Sequence, residues 1–226
     1  MTDGHQHVHG SPASATPRKM EPAWKLLATL AVAGAAAGWL VVSVYNVTLP
    51  AIQKHAGEQI DGAVREVLKA PARWDTLYLI GNVVTATPPA GSDKRELTKA
   101  FVGFDAAGAR IGVAVVAAEP GFQELLTLMI GFDPSTGALT GYKVLDQKET
   151  PGLGDKVEVD KVFGSQFAGR ITPIKGVKGV VAAGNPSQVQ TITGATISSR
   201  AVIRIINNAV AKWRPLLEAH DRGGQQ

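Results

Sequence analysis

The 226-residue sequence predicts an α+β protein: a single N-terminal transmembrane helix, then a domain in which an antiparallel sheet is flanked by helices. Three observations lead there. A run from Leu26 to about Val44 carries no charge; pairs of apolar, β-branched runs are separated by turn residues; and apolar positions recur at helical spacing on either side of those runs.

Residues 1–23 are rich in Pro, Ser, Thr, His and Gly and lack apolar periodicity, the composition of a disordered tail. His5, His7 and His9 alternate within it, and we read them as part of a polar tail and assign no metal. Residues 24–48 follow as the membrane helix, since a span needs about 20 apolar residues. Trp24 and Tyr45 stand near its ends, where amphipathic rings favour the headgroup region. Ala31-Val32-Ala33 resembles a signal-peptidase site, but the apolar run continues well beyond it, which favours a retained anchor. Arg18, Lys19 and Lys25 lie on the N-terminal flank and the next basic residue is Lys54, so the bulk of the chain is expected outside the cytoplasm.

From Ile52 to Leu68 the apolar positions Ile52, Ala56, Ile60, Ala63, Val64, Val67 and Leu68 follow a period near 3.6, so residues 49–72 read as a helical linker. The domain is then expected over 73–218. "LYLIGNVVTAT" is apolar and β-branched, "AFVGFDAAGARIGVAVVAAE" holds two strand-like runs around Ala-Ala-Gly, and "LLTLMIGFDPSTGALTGYKVL" holds two more around Pro-Ser-Thr-Gly. Hairpins of an antiparallel sheet follow. Helical spacing returns at Val202, Ile205, Ile206, Val210 and Trp213, with Pro215 breaking the pattern near the end and a short tail over 219–226.

Composition removes several function classes. The net charge of +4 is spread thinly, without a basic run or interleaved aromatics, so nucleic acid is not an expected partner. The absence of cysteine excludes disulfides, thiolate zinc sites, cysteine-ligated iron–sulfur clusters and C-x-x-C-H haem attachment.

Two stretches carry chemistry. "QTITGATISSRAV" crowds Thr191, Thr193, Thr196, Ser198 and Ser199 around Gly194-Ala195, directly before the last helix. Unpaired N–H groups and the helix dipole there favour an anion such as a phosphate, Gly194 and Ala195 let a bulky group approach, and Arg200 could add a charge. Helix capping by Thr196, Ser198 or Ser199 accounts for the hydroxyls equally, and no P-loop pattern is present. The second stretch is "QKETPGLGD", Gln147–Asp155, a Gly- and Pro-rich loop after a strand-like run; it fits a ligand loop or an ordinary connection.

"TGATISSRAV" resembles the [ST]-G-A-T flavinylation motif of the FMN-binding domain found in the G subunit of the Rnf electron-transport complex and in the C subunit of the sodium-translocating NADH:quinone oxidoreductase. "VLDQKETPGLGDKV", Val144–Val157, is similar to the signature loop of the Rnf G subunits, and the likeness runs from the span at Leu26 to about Trp213. Gln190 stands three positions before the motif, where family members often carry an acidic residue.

The resemblance implies FMN joined to Thr196 through a phosphoester, attached by a separate FAD-dependent FMN transferase. It places Thr193, Gly194, Ala195, Ser198 and Arg200 around the phosphate, and Glu149, Thr150, Gly152, Leu153 and Gly154 along the flavin. Thr196 would be an attachment point, and no residue is assigned a catalytic role. The implied protein is a redox subunit of a complex coupling electron transfer between ferredoxin and NAD to sodium or proton movement. It would sit in a bacterial inner membrane among the other Rnf subunits, its domain on the periplasmic side. The quinone-reducing pump's C subunit and an anchored periplasmic module for a free anionic ligand are the competing readings.

Overall fold

A computed structural model describes residues 22–93, 97–182 and 184–223. The tail over 1–23, with His5, His7, His9, Arg18 and Lys19, lies outside the described residues except at its end.

Helix α1 spans Ala23–Val67, so the segments read as membrane helix and linker form one helix, with Pro50 inside it. Two compact units divide at Gln53 and Lys54. In the first, Trp24, Leu30, Trp39 and Val47 are each more than six-tenths exposed, and none of the most apolar 18-residue stretch is buried. A helix apolar on all sides and exposed along its most apolar stretch suits lipid, and it is long enough to cross a bilayer.

The second unit, Lys54–Gln226, takes in the last turns of α1. Lys69 and Ala70 adopt left-handed conformations after the helix, and Pro71 follows, which cannot continue it. Six strands then form one antiparallel sheet: β1 (Arg73–Ile80), β2 (Val83–Thr85), β3 (Thr98–Phe104), β4 (Arg110–Pro120), β5 (Leu125–Phe132) and β6 (Leu139–Asp146), in the order β2-β1-β3-β4-β5-β6. The β3–β4 and β5–β6 pairs are the two hairpins that the sequence expects. Gly108 closes the β3–β4 turn at φ +83°, and Gly137 closes the β5–β6 turn at φ +73°, conformations that cost a Cβ-bearing residue more than glycine.

Alternation along the strands divides the core. Ala100, Val102, Val113, Val115, Leu128 and Ile130 point to one face, together with Ile205, Ile206, Val210 and Trp213 of α4 (Thr196–Gly223). Phe101, Ala114 and Met129 point to the other, against Ala63, Val64, Val67 and Leu68 at the end of α1. The helix approaches the sheet there because glycines make room: a Cβ at Gly131 would lie 2.7 Å from the Val67 carbonyl oxygen, and one at Gly103 would lie 2.7 Å from Leu68 Cδ1.

After β6 come two short helices, α2 (Lys156–Val159) and α3 (Lys161–Ser165), then a two-stranded sheet of β7 (Lys175–Val177) and β8 (Gln188–Gln190). Its strands run parallel, an element the sequence reading omits, because three residues are too few to show a period. Tyr142 anchors the short helices: its hydroxyl donates to the Val157 carbonyl at 2.6 Å, and its ring meets Phe167 edge-on at 4.8 Å.

Pro215 does not end α4. The helix continues to Gly223, through the first residues of the segment read as a tail, because Trp213 and Leu217 are buried on either side of the proline. Their burial outweighs the one backbone bond that proline forfeits.

Candidate functional site

Gly194 turns the chain at φ +85°, and Ala195 precedes the first residue of α4, Thr196. The first regular helical bond runs from the Ser199 amide to the Ala195 carbonyl at 2.8 Å. Ala195 has no side-chain oxygen, so the N-cap position carries no cap. The amides of Thr196, Ile197 and Ser198 have no acceptor among the described residues, which leaves three donors aimed out of the helix end.

None of the hydroxyls offered as caps serves as one. Ser199, fully buried, donates to the Ala195 carbonyl at 2.8 Å and accepts from the Ile192 amide at 3.1 Å, so it braces the turn from inside. Ser198, also buried, donates to Glu149 Oε2 at 2.6 Å. Thr191 donates to the Val177 carbonyl at 3.2 Å and joins this strand end to β7. Thr193 is exposed, and Thr196 is half-buried with a hydroxyl that has no hydrogen-bond partner among the described residues. The capping alternative is thereby overturned among the described residues: Ser199 bonds within the turn, Ser198 bonds across the fold to Glu149, and Thr196 bonds to nothing.

Across from the helix end lies the Gln147–Asp155 loop. Glu149 is only 5% exposed, an unusual place for a carboxylate. Its Oε1 accepts from the amides of Phe122 at 2.7 Å and Gln123 at 3.3 Å, while Oε2 accepts from Ser198. The Gln147 side chain receives the Glu149 amide at 2.7 Å, and Gln123 Nε2 donates to Thr150 Oγ1 at 2.8 Å. One further tie fixes the β4–β5 turn: Glu119, at the end of β4, accepts from Arg204 Nε at 2.9 Å and Asn208 Nδ2 at 2.8 Å, both on α4.

These contacts leave a cleft of about 310 Å³ lined by Phe122, Thr150, Leu153, Gly154, Gly194, Ala195, Thr196, Ile197 and Ser198. The structure therefore brings together seven of the sequence-expected site residues: Thr150, Leu153, Gly154, Gly194, Ala195, Thr196 and Ser198. Glu149 lies behind the wall and not along it. Thr193, Gly152 and Arg200 are exposed and do not line the cleft, and Arg200 makes no ion pair among the described residues. A roomier hollow of about 420 Å³ lies between β2 and the end of α4 and contains none of these residues.

Sequence reasoning missed Phe122 and Ile197. Each is 58% exposed, and with Leu153 at 49% they give the cleft an apolar rim. The available signal was an apolar side chain in each of two polar, turn-rich segments, where burial is not expected. The combination suits FMN: unpaired amides beside a free hydroxyl for a phosphate, and an apolar rim for a flat ring system.

Comparison with known proteins agrees. The model of the FMN-binding domain family matches residues 121–211, which include both the Phe122 turn and the Thr196 turn. The G subunit of the ion-translocating oxidoreductase complex of Methanosarcina acetivorans is 28% identical over 82% of this chain and 92% of its own length. The G subunit of the Na(+)-translocating ferredoxin:NAD(+) oxidoreductase complex of Acetobacterium woodii is 27% identical over 89% of this chain and 98% of its own. Among solved structures, NqrC of Shewanella oneidensis shares the fold with a TM-score of 0.57 and 21% identity, over 69% of this chain and 88% of that one. Residues 121–211 thus match the FMN-binding domain family, and the chain is similar over most of its length to G subunits of ion-translocating oxidoreductase complexes.

Proposed function

We propose that this protein is a membrane-anchored, covalent-FMN electron carrier: the G-type subunit of an Rnf-type complex that couples electron transfer between ferredoxin and NAD to sodium or proton movement. The family match and the relatives in ion-translocating complexes support an FMN-bearing redox subunit of such an oxidoreductase. One observation carries the covalent attachment. Within a cluster of five hydroxyls, Thr196 alone combines a free Oγ1 with a position in the cleft, next to unpaired amides.

The phosphate would rest against the Thr196, Ile197 and Ser198 amides, with Thr193, Gly194 and Ala195 in the approaching turn and Arg200 available as an outer charge. Phe122, Leu153 and Ile197 would shield the ring, and Thr150 and Gly154 would shape the opposite wall, with Gly152 in the same loop outside the cleft. Bound FMN supplies one- and two-electron chemistry, and a covalent tether prevents its loss between donor and acceptor. The span within α1 would hold the domain on the outer side of the membrane, beside the other subunits, with an FAD-dependent transferase attaching the flavin.

The full chain produced with such a transferase is expected to fluoresce as a flavoprotein in a denaturing gel. Thr196→Ala abolishes that band and Thr193→Ala retains it. Covalent fluorescence surviving Thr196→Ala would refute the assignment, and a flavin lost on denaturation would favour an anchored module for a free anionic ligand.

A further inference from the structure

We propose that Glu149 is a positioning residue: its buried carboxylate clamps the Phe122 turn and the Gln147–Asp155 loop to the first turn of α4, and so presents the Thr196 hydroxyl for modification. The proposal rests on the reading of Thr196 as the attachment point.

Three segments far apart in sequence meet on this one side chain. Oε1 binds the amides of Phe122 and Gln123, and Oε2 binds Ser198, two residues past Thr196. Hydrogen bonds to a carboxylate are among the stronger ones, and removing the acceptor from a buried site leaves its donors unpaired.

The surrounding glycines supply an independent argument. A Cβ at Gly121 would lie 2.3 Å from Glu149 Oε1, and one at Gly154 would lie 2.5 Å from Oε2 and 2.9 Å from Ser198 Oγ. Neither glycine has a positive φ, so backbone conformation does not demand them. Space does: both loops close so tightly on the carboxylate that a methyl group at either position would displace it. A carboxylate that merely lined a ligand site would face the cleft, whereas this one faces the protein.

The modification is balanced as an exchange at phosphorus. The Thr196 oxygen bonds to the FMN phosphorus of an FAD donor, the bond from that phosphorus to the bridging oxygen breaks, AMP departs, and the hydroxyl proton passes to solvent. Glu149 takes no part in this chemistry; it fixes where the oxygen stands.

The test uses the full chain in detergent. Amide exchange is measured on the flavin-free protein, and the initial rate of covalent labelling is measured with an FMN transferase and FAD. Glu149→Ala is expected to speed exchange about tenfold or more at Phe122, Gln123 and Ser199, the first hydrogen-bonded amide of α4, with β5 unchanged. Labelling should slow by a similar factor. Glu149→Gln should recover most of both, since its amide oxygen accepts from the Phe122 turn and its NH₂ donates to Ser198, whose hydroxyl can reverse. Gly154→Ala and Gly121→Ala should slow labelling in the way Glu149→Ala does.

Wild-type labelling by Glu149→Ala overturns the proposal. So does a uniform rise in exchange that includes β5, which marks a general loss of stability. If the unaltered chain takes no covalent flavin, the attachment reading fails instead, and the exchange data still decide whether the clamp exists.

Discussion

The hydroxyl cluster can be dissected by its effect on stability alone, without any flavin. Ser199 is buried and makes two bonds, one to the Ala195 carbonyl and one from the Ile192 amide. Ser199→Ala leaves the Ile192 amide without its acceptor, and an unmet buried donor costs about 1–3 kcal/mol. Thr196→Ala removes a hydroxyl that bonds nothing among the described residues, so its cost should stay within about 0.5 kcal/mol. Were Thr196 a helix cap, its loss would cost about 1 kcal/mol.

The assay is urea unfolding of the flavin-free full chain in detergent, followed by fluorescence, in which Trp213, 2% exposed, reports the core between α4 and the sheet. Ser199→Ala should lower the midpoint with an unchanged slope, and in a thermal scan should lower Tm by about 2–12 °C for a domain of this size. Thr196→Ala should move Tm by less than about 2 °C. If Thr196→Ala proved as costly as Ser199→Ala, the division into scaffold hydroxyls and one free hydroxyl would be wrong, and Thr196 would have a structural role that leaves it poorly suited to attachment.

The turn between β5 and β6 carries a pH signature. Partial burial raises the Asp133 pKa, but bonds from the Ser135 hydroxyl and amide and from the Thr136 hydroxyl, with the Arg110 charge, outweigh it and hold the carboxyl below its usual 3.8. A depressed acid stabilises the fold above its unfolded pKa and loses that contribution as pH falls through the folded one. Asp133→Asn should therefore cost about 1 kcal/mol at pH 7 and progressively less as pH falls below 3.8, measured as urea midpoints across that range. Tyr142 is displaced the other way, because burial and then the Asp160 charge raise its pKa far above 10.0. Its contribution is complete below pH 10 and fades above it, and Tyr142→Phe, which keeps the ring but strands the Val157 carbonyl, should cost about 1–3 kcal/mol at pH 7 and lose the alkaline destabilisation. For orientation, a reporter active only outside the cytoplasm should work when fused after Gln226 and fail when the span is deleted; activity of a cytoplasmic reporter at that point reverses the assignment.

The sheet was legible because each hairpin repeats one local pattern, an apolar β-branched run, a short turn with glycine, and another run, which needs no distant partner to be recognised. The helix periods were legible for the same reason, and Ala63, Val64, Val67 and Leu68 do bury as their spacing requires. What failed depended on distant residues. Pro215 reads as a disturbance of the helical pattern, yet the helix passes through it because Leu217 has a core to enter. Glu149 sits in the polar run "DQKET" and is expected only through the resemblance, along the flavin, whereas its partners lie 27 and 49 positions away in sequence and hold it behind the wall. No local rule finds such a carboxylate. Its one trace is a pair of glycines, Gly121 and Gly154, whose reason becomes visible only when the fold brings them together.

The same distinction explains why five hydroxyls stand where one would carry the chemistry. A hydroxyl is a weak nucleophile, and one threonine differs little from its neighbours in intrinsic reactivity, so selection must come from accessibility. Ser199 and Ser198 are buried and their protons are already committed to protein acceptors, while Thr191 is buried and turned toward β7. Thr193 is accessible but lies ahead of the helix, outside the cleft wall and away from the unpaired amides. Thr196 alone has an uncommitted oxygen within the cleft at the helix end where an anion is favoured. The neighbouring hydroxyls thus make the site selective by their own engagement: each bond that braces the turn also withdraws one competitor for the phosphate.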